Sequence, residues 1–151
     1  MRNSKGFGLL ELMLTLCIAS LLMTVAFPMY DGYVQRARVA RAVGDIGSLS
    51  IEIDTFRLSN RDRIPSSLAD LPTPVPDDPW GRPYVFLNII DDQPNKGAVR
   101  KDGKLNPLNT DYDLFSQGKD GDSKGSLNAK ASRDDIVRAN NGSYIGLGED
   151  F

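Results

Sequence analysis

The sequence predicts an α+β protein: a long amino-terminal helix, membrane-spanning in its first half, packed against a small antiparallel sheet. Three observations carry that expectation. Residues 7–28 form an apolar run with Glu11 as its one charge. From Val39 to Phe56, apolar residues recur every three or four positions. Beyond residue 80, short apolar stretches alternate with turns rich in Gly, Pro, Asn and Asp. The 151 residues allow about one domain.

Composition narrows the function classes. Net charge is −2, with acidic and basic residues mixed along the chain, which argues against nucleic acid as the main partner because that needs a clustered basic face. There is no histidine, so histidine acid–base catalysis and histidine metal ligation are excluded. The single cysteine, Cys17, lies inside the apolar run, and no intrachain disulfide can form.

About 22 helical residues from Phe7 to Pro28 span roughly 33 Å, close to the hydrocarbon thickness of a bilayer. Arg2 and Lys5 precede the run, which favours an orientation with the amino terminus inside. Three general readings fit a basic start and an apolar core. One is a secretory signal cut after Thr24-Val25-Ala26, against which Pro28 and Glu11 both speak. Another is a lipoprotein signal ending at Cys17, where Leu14-Thr15-Leu16-Cys17 puts a bulky leucine in place of a small residue. The third is a plain anchor, which leaves Glu11 unexplained: an unpaired carboxylate in the bilayer costs on the order of 2.5–3.5 kcal/mol.

Lys5-Gly6-Phe7-Gly8-Leu9-Leu10-Glu11 resembles the processing site of type IV pilins and pseudopilins. The resemblance implies that a dedicated prepilin peptidase and N-methyltransferase removes the leader 1–6 after Gly6 and methylates Phe7. It also implies that Glu11 pairs with the amine of a neighbouring subunit during assembly, turning two buried charges into an ion pair. Gly8 stands where many relatives have threonine, and Pro28 where the family often has a helix-bending proline.

The helical pattern continues past Pro28. Val39, Val43, Ile46, Leu49, Ile53 and Phe56 make one apolar face, with Arg38, Arg41, Asp45, Glu52 and Arg57 off it. One helix is therefore expected from Phe7 to about Leu58, its first half apolar all round and its second half needing a partner on one side. Gly32, Gly44 and Gly47 each weaken it by about 1 kcal/mol relative to alanine. Residues 7–28 are assigned to the transmembrane and filament-core helix, and residues 29–151 to a body beyond the membrane.

In that body, Ile64–Leu71 holds one short helical turn with Ser66 as its expected N-cap, and four prolines between 72 and 79 set an extended connector. Asp77-Asp78-Pro79-Trp80-Gly81-Arg82-Pro83-Tyr84 is a turn that places Trp80 over the helix. Val85–Ile90 reads as a strand, a polar loop runs from about Asp91 to Thr110, and Asp111–Ser116 reads as a second strand. Two or three short antiparallel strands on one helix complete the expected fold.

Asp78-Pro79-Trp80-Gly81 with Pro83-Tyr84, and Asp113–Ser116 running into Gln117-Gly118-Lys119-Asp120-Gly121, resemble the major pseudopilin of type II secretion systems. With the amino terminus, the likeness covers most of the chain. The segment before Trp80 is shorter than usual, and the loops before the second strand and after Asp120 are longer. Read from composition alone, the loop after Gln117 is either a solvated acidic turn or a cation site. It is not an EF-hand, since Lys124 takes a ligand position and Ala131 the twelfth. The resemblance implies a calcium loop with the Gln117 carbonyl, Asp120, Asp134 and Asp135 as ligands and Asp122 as an additional candidate, calcium being suited to irregular loops of hard oxygens.

The resemblance further implies a non-enzymatic subunit held by a single span in the bacterial inner membrane, its body in the periplasm. Expected partners are further copies of itself in a helical filament, minor pseudopilins, the prepilin peptidase and the inner-membrane assembly platform. The alternative is a subunit of a type IV pilus for adhesion, motility or DNA uptake. A secreted enzyme behind a signal peptide is a third class, for which the body offers no catalytic constellation.

Overall fold

A computed structural model describes residues 8–92, 94 and 97–151. The chain divides into two compact units, Met1–Ala37 and Arg38–Phe151. Helix α1 runs Leu9–Ser59 with Pro28 inside it, and so belongs to both. A proline in a helix removes one backbone donor and crowds the preceding turn, a cost tertiary packing or lipid must offset.

In the second unit, the predicted stripe on α1 is the buried one. Ala42, Ile46, Leu49 and Ile53 are buried, with Val39, Val43 and Phe56 packed half-exposed at their edges. The helix is stopped by Arg61 and Asp62, both left-handed, while the Asp62 amide donates to the Arg57 carbonyl and its carboxylate takes the Arg57 guanidinium at 2.7 Å. A short 3-10 turn follows at Leu68–Asp70. Its N-cap is Ser67, not the expected Ser66: the Ser67 amide donates to the Asp70 carboxylate at 2.9 Å, a pairing that requires a three-residue spacing.

Four strands form one antiparallel sheet in chain order: β1 Val85–Asn88, β2 Tyr112–Ser116, β3 Ile136–Ala139 and β4 Tyr144–Leu147. Val85 pairs with Phe115, and Phe115 in turn with Val137. Strand alternation then sorts the side chains. Tyr112, Leu114 and Ile136 pack on α1 together with Tyr84, Trp80 and Ile145. Val137, Ala139 and Phe115 face the other way, onto Leu108 and Leu127.

The second face exists because the long β1–β2 connection folds back over the sheet. The Asn140 amide donates to the Leu108 carbonyl, Lys101 bridges to Ser126, and the buried Asn109 side-chain amide donates to both Asp113 and the Arg138 carbonyl. The polar loop expected between the strands is thus a second packing layer.

Candidate functional site

Two regions can carry function, and they lie in different units. In the first, Gly6 and Phe7, the expected processing and methylation positions, lie outside the described residues. Glu11 stands in the first turn of α1, where a carboxylate is favoured by the exposed amides. Every residue from 8 to 31 is exposed, including Leu10, Leu21 and Phe27. The helix is long and apolar enough to cross a membrane. Its hydroxyls are satisfied internally: Thr15, Ser20 and Thr24 donate to the carbonyls of Leu12, Cys17 and Leu21 at 2.7–2.9 Å. That is what an apolar solvent demands of polar side chains. Glu11 is the exception. Its carboxylate has no hydrogen-bond partner among the described residues.

The second region joins the two stretches that stood out in the sequence, the Trp80 turn and the segment after β2. Asp78 is buried. One of its carboxylate oxygens accepts the amides of Trp80 and Arg82 at 3.0 and 2.9 Å, closing the turn. The other accepts the Ser116 hydroxyl at 2.5 Å, and that hydroxyl accepts the Gly118 amide. Arg82 completes the join by donating to the carbonyls of Gly118 and Lys119 at 2.7 and 3.3 Å. Gly118 has φ of +65° and lies so close to the Asp134 backbone that no Cβ fits. The motif residues are therefore a latch: a turn on one side of the sheet holds the start of the carboxyl-terminal loop.

The predicted cation ligands divide between two places. Asp134 faces the latch, its carboxylate accepting the Lys119 and Asp120 amides at 2.8 and 3.0 Å. The Gln117 carbonyl accepts the Gly121 amide, and Asp120 accepts the Asp122 amide. Asp122 is exposed beside Lys124, 3.7 Å from its ammonium. Asp135, the next residue in the chain, turns the other way into the body. It is fully buried, and there it meets Arg100 at 2.5 Å and the Ser123 hydroxyl at 2.6 Å. Among the described residues, no three carboxylates gather where a metal ion can be held. Asp134 and Asp135 thus take separate sets of partners and do not face a common point.

Arg100 was not singled out by its sequence context. Its guanidinium also donates to Ser123 at 2.8 Å and lies 4.0 Å from the Phe115 ring centroid, while its amide donates to Asp113. Arg138 repeats the arrangement on β3, with two contacts to Asp111 at 2.9 and 2.7 Å and the Tyr112 ring 3.9 Å away. The one available signal was positional: Arg138 sits among apolar strand residues, where a long cation survives only if paired. Burial raises the carboxyl pKa of Asp135 above its ordinary range, partly opposed by the Ser123 and Arg100 bonds, and raises that of Asp113 in the same way.

Residues 1–27 match the prokaryotic N-terminal methylation motif. The type II secretion system core protein G of Pectobacterium carotovorum subsp. carotovorum is 32% identical over 140 residues, covering 79% of this chain and 78% of that protein. That of Aeromonas hydrophila is 29% identical over 142 residues, covering 80% and 87%. The type IV major fimbrial protein FimA of Dichelobacter nodosus is 34% identical over 58 residues, 38% of this chain and 37% of its own. No solved structure matches. The chain belongs to the type II secretion system core protein G family.

Proposed function

We propose that this chain is a structural subunit of a type II secretion pseudopilus, stored in the inner membrane and polymerised into a periplasmic filament. The leader 1–6 is removed after Gly6, Phe7 becomes the methylated first residue, and the helix remains on the mature protein as both anchor and assembly element. The single observation that carries this reading is an apolar helix half exposed on all sides that retains one carboxylate, Glu11. In lipid, that carboxylate is a cost; against the amine of a neighbouring Phe7 it becomes half of an ion pair, so assembly removes the penalty and sets register. Partners on this reading are further copies of the chain, the prepilin peptidase, the membrane assembly platform and minor pseudopilins. The role is structural rather than catalytic. Similarity to core protein G over 79% of the chain favours secretion over a surface pilus, since the FimA likeness extends over 38%.

The test is Glu11→Ala in a reconstituted secretion system. Filament assembly is expected to fall at least about tenfold, as loss of a pairing near 1.4 kcal/mol or more per contact requires. Membrane levels of the processed subunit are expected to be unchanged. Normal filaments from the variant contradict the reading.

A further inference from the structure

We propose that this chain supplies its own cation to the carboxyl-terminal loop: Arg100 neutralises Asp135 and Arg82 ties the loop carbonyls, so the body closes without a bound calcium ion. The proposal concerns the folded body and stands independently of the assembly reading above.

Charge is the first argument. The Asp135 side chain is 0% exposed and that of Arg100 is 3% exposed, so each needs a counter-ion inside the protein. The pair is neutral as it stands. A divalent ion beside Asp135 leaves Arg100 as surplus buried charge, which is strongly unfavourable. The two remaining buried atoms without partners here, Arg100 Nε and Asp135 Oδ1, belong to this same pair. The contact itself runs through Arg100 Nη2 and Asp135 Oδ2, one charge-assisted hydrogen bond between two buried groups of opposite charge.

Position is the second argument. Arg100 is brought to the site by the long β1–β2 connection. Its own backbone is bonded in: its amide donates to Asp113, its carbonyl accepts from Leu108, and the next residue bridges to the loop through the Lys101 amide and the Gly125 carbonyl at 2.8 Å. The Phe115 ring supports the guanidinium face. Ser123 donates to Asp135 and accepts from Arg100, so the loop after Asp120 closes onto the pair.

Occupation of the other oxygens is the third. Calcium takes carbonyl and carboxylate oxygens, six to eight at about 2.3–2.6 Å. Here Arg82 holds the Gly118 and Lys119 carbonyls, Gly121 holds that of Gln117, and two amides hold Asp134. The fork of Arg82 has room because Gly121, with φ of +72°, carries no Cβ at that place. The two longer loops noted in the sequence thus have a joint role. One carries the cation in, and the other folds around it.

The test uses the full chain in detergent, first as wild type. Thermal midpoints measured with a chelator and with saturating calcium chloride are expected to agree within about 1 °C, and calorimetric titration with calcium to give no saturable heat. A calcium-dependent rise of about 4 °C or more, with saturable heat lost in Asp135→Asn, overturns the proposal. Arg100→Gln and Asp135→Asn are each expected to lower the midpoint whether or not calcium is present. The double variant is expected to fall by clearly less than the sum. Additive losses overturn the pairing. If the single variants fail to fold, the wild-type comparison alone decides.

Discussion

Replacing Asp78 by alanine breaks the latch at its centre. The carboxylate takes three donors: the Trp80 and Arg82 amides and the Ser116 hydroxyl. Each donor left unpaired in a buried site costs about 1–3 kcal/mol, about 3–9 kcal/mol for the three taken together. The buried carboxylate itself carries a desolvation cost of several kcal/mol that its removal returns. The net expected loss is about 3–4 kcal/mol, a fall in midpoint of roughly 12–25 °C for a body of this size. Asp78→Asn keeps one acceptor oxygen for the two amides and presents an amide to Ser116, whose hydroxyl can turn to accept it. That variant is expected to lose about 1–2 kcal/mol. Denaturant unfolding of the full chain, followed by Trp80 fluorescence, measures both. If Asp78→Ala lies within about 1 kcal/mol of wild type, or Asp78→Asn costs as much as alanine, the Trp80 turn is not held through this carboxylate.

Leu114 is fully buried between the sheet and α1, so Leu114→Ala is expected to cost about 2–5 kcal/mol in the same assay. Gly118→Ala places a Cβ on the Asp134 backbone at a left-handed φ, and is expected to cost more than about 1–2 kcal/mol and to release the loop to proteolysis before the sheet. Burial raises the Asp113 carboxyl pKa, so the folded state holds that proton more strongly than the unfolded chain. Its contribution is fully present below the unfolded value and is lost as pH rises through the raised folded one. Wild type is therefore expected to gain stability relative to Asp113→Asn when pH is lowered from neutrality to about 4, and an unchanged difference refutes the assignment.

Much of this architecture is legible in the sequence because it rests on local periodicity. The stripe from Val39 to Phe56 predicts the buried face of α1, and the Pro79–Gly81 turn with its following strand appears where expected. Strands β3 and β4 are less visible. Ile136–Ala139 carries Arg138 on its inner face, and Tyr144–Leu147 contains Gly146, so neither shows clean alternation. Arg138 is acceptable there only because Asp111, far back in the chain, meets it. The carboxyl-terminal loop is hidden for the same reason. Its acids can be counted in sequence, but whether they face one another, a metal or an arginine depends on contacts 35 positions apart, as between Arg100 and Asp135. Similarly, Ser66 and Ser67 are equivalent by composition, and only the distance to Asp70 separates them.

The central claim is that residues 7–28 stay on the mature protein as an assembly helix. Intact mass and amino-terminal fragment masses of the chain, purified from membranes that contain its peptidase, test this most directly. The account predicts a chain beginning at Phe7 and heavier by one methyl group. A chain beginning at Phe27, cut as a secretory signal, contradicts it, because Glu11 and the helix would then be absent from the mature subunit.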